Sequence, residues 1–246
     1  DKEYWHNCFK TIPDAINLPE NIKNENSHIS PFSKRKDFII SKKILKNIND
    51  YCSNNHISLY AFFLSIYSIY LSRVNSSKNF CIGTPVLNRN NFQEKNTPGL
   101  FISTIPFCIN LEWSNSFLEF SKYISVQILS NFRHQKYPYK LLINELRKEN
   151  PDITNLYNIF ISYQNVKSTK SDTLDYSSKW VSPSAIFNDL QIHLHDINDD
   201  NTLIISYDYK ITKFTEKTII NTHKRIMNII KQIFETENIN LSDIEV

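Results

Sequence analysis

His193 and His195 stand two residues apart in the run 190–197, where apolar residues alternate with polar ones. On a strand both imidazoles share one face, and such a pair supplies two of the ligands a bound metal needs. No third ligand follows at a suitable spacing, and Gln191 extends the same polar row. The pair therefore reads as the wet side of an amphipathic hairpin, with no metal. His134, next to Gln135 at a corner between two helical stretches, is a second candidate for proton transfer near neutral pH. No serine or cysteine sits in a GxSxG elbow, so His134 is expected to cap or pack. Asp199 and Asp200 pair two carboxylates, but inside an Asn-Asp-Asp-Asn turn, where exposure to solvent is the ordinary role. The four cysteines, Cys8, Cys52, Cys81 and Cys108, are far apart in sequence and form no CxxC pair. Reduced, buried thiols are expected in place of a zinc site or a disulfide framework. Gly83 and Gly99 are the only glycines, so each is expected to meet a backbone need, either positive φ or a close approach. Phosphate-cradling motifs of the GxGxxG or GxxxxGK[ST] type are absent.

Strands and helices intermix along the chain. An opening helix is expected around Tyr4, Trp5 and Phe9, followed by a meander broken by Pro13, Pro19 and Pro31. A short strand over 37–40 leads to a helix capped by Ser41, with Ile44, Leu45, Ile48 and Tyr51 on one stripe. Ser58 caps a second helix, whose Leu59, Phe62, Phe63, Ile66, Ile69 and Tyr70 form one broad buried face. Strands follow over 80–86 and 103–111, and Pro106 marks the latter as an edge or a bulge. Ser116 opens a helix with the stripe Phe117, Phe120, Ile124, Ile128 and Phe132, and Pro138 starts the next. A strand over 156–163, a polar loop or arm over 164–180, a hairpin over 190–209 and a helix over 215–234 complete the chain. This order predicts an α/β fold, an α+β sandwich with a mixed sheet flanked by helices.

The chain has 246 residues, enough for one sizeable core, and a net charge of +3. Its tightest basic cluster, Lys34, Arg35 and Lys36, is too short for a nucleic-acid footprint. The longest apolar run, 59–71, is interrupted by serines and falls short of the ~20 residues that span a bilayer. The reading is of a cytoplasmic chain with neither nucleic-acid nor membrane partner. An Asp at position 1 and a single Met suggest a piece excised from a longer protein.

Seven segments, taken in order, carry a family resemblance. Glu3-Tyr4-Trp5 resembles a "YW" opening, and Gly83 to Arg89 resembles "G-x-P-v-x-x-R". Pro98-Gly99-Leu100-Phe101-Ile102-Ser103-Thr104 resembles "IGxFVNT", and His134-Gln135-Lys136-Tyr137-Pro138-Tyr139 resembles "HQxxPFE". Leu156 to Phe160 with Gln164-Asn165 resembles "PLFQVxF…QN", Asp189-Leu190 resembles "FDL", and Tyr207-Asp208 with Phe214 resembles "Y-(N/D)-x-x-x-F". Together they are similar to the C-terminal lobe of a nonribosomal peptide synthetase condensation domain. The sequence departs from the motifs at Pro98, Ser103, Cys108 and Lys140.

The resemblance implies a chloramphenicol-acetyltransferase-like lobe spanning 1–246 that faces a second, N-terminal lobe across a tunnel. The active-site HHxxxDG belongs to that other lobe and does not occur here, so no residue of this chain is expected to be catalytic. This lobe is expected to provide a tunnel wall, a floor loop over 87–98 and a latch within 166–188. Arg89, Gly99, Phe101, Ser103 and Thr104 are the expected positioning residues. His134, Gln135, Pro138, Gln164, Asn165 and Asp189 are the expected structural motif residues. The implied reaction is amide formation between carrier-bound thioesters. Its partners are peptidyl carrier proteins, whose phosphopantetheine arms bring the substrates, and an adenylation domain. No cofactor is held directly, and the isolated chain is expected to be inactive. A related acyltransferase using a free alcohol or amine, and a carrier-docking module without chemistry, are the alternatives.

Overall fold

A computed structural model describes residues 1–19, 31–165, 180–196 and 202–246. Its elements run α1 (Lys2–Cys8), β1 (Ser33–Ile40), α2 (Lys42–Asn55), α3 (Leu59–Asn75), β2 (Asn79–Val86), α4 (Phe92–Asn96), β3 (Ser103–Asn110), α5 (Phe117–Arg133), α6 (Tyr139–Glu149), β4 (Ile159–Gln164), β5 (Leu190–His195), β6 (Leu203–Lys210) and α7 (Glu216–Glu235). Local chemistry sets the helix starts. Hydroxyls of Ser41, Ser58 and Thr215 accept from backbone N–H groups three residues on. Ser116 and Glu119 form a reciprocal capping box.

The strands make one sheet in the order β1-β6-β5-β4-β2-β3. The pairs β2–β4 and β4–β5 are parallel and the rest antiparallel, which is the expected mixed sheet. One face is covered by α2, α3, α5 and α7, which share the larger core with Ile161, Ile192, Ile205 and Tyr207 of the strands. The other face is covered only over β2, β3 and part of β4, where α1 and α6 pack Trp5, Phe9, Leu142 and Leu146 against Cys81, Val86 and Phe160. Over the remaining strands that face carries side chains of β1, β6, β5 and β4 with no helix on top, among the described residues.

Four expectations change. α3 is buried on every side from Tyr60 to Ser72, not along one face, since the sheet lies beneath it and α2, α5 and α7 surround it. Its hydroxyls are satisfied internally: Ser65 and Ser68 donate to the carbonyls of Ala61 and Leu64, and Tyr67 meets Tyr207. β1 begins at Ser33, four residues ahead of the expected start, because the whole of 33–40 pairs with β6. β4 begins at Ile159 instead of residue 156, as Leu156 and Tyr157 turn into the smaller core. Pro138 caps α6 from outside its first turn. Pro106 lies opposite Gly83 in an unbroken register on β3, which is an edge strand, so the edge expectation holds and the bulge does not occur. Among the described residues no single helix is long and apolar enough to cross a membrane.

Candidate functional site

The helix-free part of the second sheet face gathers the polar residues. Alternation along β4, β5, β6 and β1 aims Ser162, His193, His195, Ser206, Asp208 and Arg35 to this side. Asp208 is wholly buried. The Arg35 guanidinium grips it bidentately, Nε to Oδ1 at 2.8 Å and Nη2 to Oδ2 at 2.6 Å. His193 adds Nε2 at 3.4 Å from Oδ2, and the Ser162 hydroxyl lies 2.6 Å from His193 Nδ1. Burial pushes the Asp208 carboxyl up, but His193 and Arg35 outweigh it and hold the carboxyl below its usual range.

His193 and His195 are therefore not the wet side of a hairpin. They are 9% and 3% exposed, because Arg35 and Ser182 converge on Asp208 beside them and Trp180 lies 4.9 Å from the His195 ring. Among the described residues neither ring nitrogen of His195 has a hydrogen-bond partner. Burial, with His193 and Arg35 close by, lowers its pKa to about 4, so it is neutral at physiological pH. Among the described residues no group of three or more His, Cys, Asp or Glu is placed to hold a metal. Ser162, His193 and Asp208 resemble a nucleophile–base–acid row in contact order, yet Ser162 is buried and Arg35 already neutralises Asp208. The row is a buried ion-pair network, not a hydrolytic triad.

His223 shares the low pKa, about 4, through burial beneath Phe38, whose ring stacks on it at 3.8 Å. Both imidazoles bind fewer protons folded than unfolded between pH 6.5 and 4, so stability falls as pH drops through that window. Urea unfolding at pH 7 and pH 4.5 should show a loss of roughly 3–5 kcal/mol from the two together. Asp208 acts only at lower pH, since its depressed carboxyl stays charged across this range. Replacing His223 with Phe should flatten the pH dependence by about half.

A second feature is a cleft of about 440 Å³ on the same side of the sheet, lined by Thr104, Tyr157, Phe160, Gln191 and Lys210 among others. The Tyr157 hydroxyl donates to Thr104 Oγ1 at 3.0 Å, and burial pushes its own pKa up to about 12. Of the expected positioning residues only Thr104 lines this cleft. Ser103, one residue earlier, is opposite Val86 at the mouth of the β2–β3 hairpin and is not among its walls.

Arg89, Gly99 and Phe101 build the loop instead. Arg89 donates to the carbonyls of Glu94, Thr97 and Gly99 and lies 4.0 Å over the Phe101 ring. Gly99 takes φ +149, a conformation open to glycine. Gly83 serves the other expected need: an added Cβ would sit 2.3 Å from the Tyr157 ring. The span 87–98 thus contains the short helix α4 and is closed by Arg89 as a clamp. Gln135 ties this loop to the α5–α6 corner, accepting from the Asn88 N–H and donating to Asn90. His134 stacks on Tyr4 at 4.0 Å and its carbonyl accepts from Trp5 Nε1, so it packs as expected. Gln164 ends β4 opposite His195, Asn165 is exposed, and Asp189 pairs with Lys210 at 2.9 Å. Of the latch expected within 166–188, residues 166–179 lie outside the described residues, as does the hairpin turn with Asp199 and Asp200. Residues 182–186 run beside β1, with Ser33 bonded to the Ser184 and Pro183 carbonyls. Arg35, Asp208 and Ser162 were not among the expected site residues, although Arg35 stood in the basic cluster and Asp208 in a family motif. The signal was available for one of them: Asp208 is the one acidic residue in the strand Leu203–Lys210.

The model of the Condensation domain matches the chain over residues 1–246. The chain belongs to the condensation-domain family. Surfactin synthase subunit 1 of Bacillus subtilis (strain 168) is 31% identical over 232 residues, covering 94% of this chain and 6% of that protein. Gramicidin S synthase 2 of Brevibacillus brevis is 22% identical over 250 residues, covering 99% of this chain and 6% of that protein. Among solved structures, the X-domain from teicoplanin biosynthesis superposes with a TM-score of 0.83 at 15% identity, covering 100% of this chain and 56% of that one. The condensation domain from Monacolin K polyketide synthase gives 0.78 at 15% identity, with 98% and 58% covered. The chain therefore spans a small fraction of its synthase relatives and somewhat over half of these two solved chains. The fold shared with them is the expected mixed sheet flanked by helices.

Proposed function

We propose that this chain is the C-terminal half of a condensation domain that joins carrier-bound acyl and aminoacyl thioesters through an amide bond. One observation carries the reading: the family match runs from the first residue to the last, while HHxxxDG, the motif that provides the base, occurs nowhere in the 246 residues. A base must stand within hydrogen-bond reach of the attacking amine. None of the three candidate histidines suits that task, for His193 is engaged by Ser162 and Asp208, His195 is buried, and His134 is stacked on Tyr4. What the chain offers is placement. Holding two reactants in line can lower a barrier by ~7–11 kcal/mol.

In this reading the helix-free sheet face and the cleft at Thr104 and Tyr157 form the wall of the tunnel, and the Arg89 clamp holds its floor. Phosphopantetheine arms of peptidyl carrier proteins bring the two thioesters, and an adenylation domain loads them. A cytoplasmic setting belongs to the same reading, and the free cysteines support it.

The test compares the isolated chain with the polypeptide that also contains an HHxxxDG lobe, using aminoacyl groups loaded on carrier proteins and mass detection of the amide product. Product is expected from the two-lobed protein and none from the isolated chain. Turnover by the isolated chain, or ester formation with a free alcohol in place of the amide, overturns the proposal.

A further inference from the structure

Cys81 and Cys108 are distant in sequence and adjacent in space. They face each other directly in the antiparallel β2–β3 ladder, and their sulfur atoms lie 2.8 Å apart. Directly opposed residues in such a ladder keep their Cα atoms ~4.5–5.5 Å apart. That lies inside the ~4.4–6.8 Å range a disulfide accepts without backbone movement. Both thiols are free, Cys81 fully buried and Cys108 half-buried. Cys8 of α1 packs against the same cluster.

We propose that Cys81 and Cys108 are a reversible dithiol–disulfide site, oxidised by a small-molecule disulfide of the glutathione class. Cys108, the more accessible partner, gives its proton to solvent and its sulfur attacks one sulfur of the small disulfide. The small S–S bond breaks, a mixed disulfide forms on Cys108, and the first small thiolate leaves and takes up a proton. The Cys81 sulfur then loses its proton and attacks the Cys108 sulfur, and the second small thiolate leaves and is protonated. Two protein thiols are oxidised and one small disulfide is reduced to two thiols. Burial and the neighbouring thiols push the Cys81 pKa well up, so the second step is the slow one.

The site matters because of where it lies. β3 is an edge strand that pairs only with β2, and these two strands carry both ends of the Arg89-clamped loop. Oxidation would join the stems of that loop covalently.

The experiment oxidises the full 246-residue chain with excess oxidised glutathione under native conditions, then maps peptides without reduction. The expected result is a loss of two hydrogen masses and one crosslinked pair containing Cys81 and Cys108, reversed by dithiothreitol. The oxidised chain should melt on the order of 5–10 °C higher. Cys8→Ser keeps the crosslink and Cys108→Ser abolishes it, with Cys108→Ala as the substitute if the serine variant does not fold. A Cys8–Cys108 crosslink, a lasting glutathione adduct on Cys108 with no crosslink, or four unreacted thiols each overturn the assignment.

Discussion

Replacing Arg35 with Met destabilises the chain by about 3–5 kcal/mol at pH 7, the range for breaking a buried ion pair from one side. Asp208 is wholly buried and Arg35 supplies two of its short hydrogen bonds. Without them the carboxylate keeps only Ser182 at 3.2 Å and His193 at 3.4 Å, too little to offset its desolvation. The pH dependence supplies the sign. In the parent chain Asp208 is held below its usual range, so it stabilises at pH 7. In the variant only His193 and Ser182 still oppose burial, so the folded pKa rises from its depressed position. The deficit relative to the parent therefore shrinks as pH falls and Asp208 takes up a proton. Urea midpoints of both proteins at pH 7 and pH 5, with unchanged m, test this. Adding Asp208→Leu to Arg35→Met should recover most of the loss, since an apolar pair of similar size leaves no buried charge unpaired. A single variant as stable as the parent at pH 7 would show that the pair is idle.

The Gly83→Ala variant loses about 2–4 kcal/mol and, on the function proposed above, lowers the amide-forming rate of the two-lobed protein. A strand alanine would ordinarily gain ~0.5 kcal/mol over glycine through lower unfolded-state entropy. Here the new Cβ meets three ring atoms of Tyr157 at 2.3, 2.5 and 2.9 Å, and overpacking of that kind costs ~1–3 kcal/mol. Tyr157 cannot yield freely, because its ring is tilted against Tyr139 and its hydroxyl is tied to Thr104. Losing that hydrogen bond adds ~1 kcal/mol, so strain wins over entropy. The displaced ring would also fill the cleft beside Thr104. Combining Gly83→Ala with Tyr157→Leu should cost less than the two single losses added together. Simple addition of the two losses would mean that the ring and the Cβ never meet.

Local signals in the sequence were sound where the physics is local. Ser41, Ser58, Ser116 and Thr215 marked helix starts because a cap needs only its own next three residues. Gly83 and Gly99 were legible as backbone necessities because so few glycines exist that each must be required. The failures share a different cause. Alternation put His193 and His195 on one face but could not tell that Arg35, from a strand far upstream, would return to cover it. Lys34, Arg35 and Lys36 read as one surface cluster, whereas β1 alternation turns Arg35 away from its two neighbours toward Asp208. The cysteines read as isolated because sequence distance says nothing about a ladder that pairs residue 81 with residue 108. The motif order identified the family, and the contacts among its residues emerged only from the fold.

The all-round burial of α3 bears on how the chain is made. Tyr60 to Ser72 leave the ribosome before β2 and before the helices α5 and α7 that enclose them. At ~5–20 residues per second, α7 follows on the order of 10 s later. During that interval α2 is the one of its three neighbouring helices already made, and partial cover for so apolar a segment invites aggregation. The yield of the chain is therefore expected to respond more to translation rate and chaperone level than to final stability.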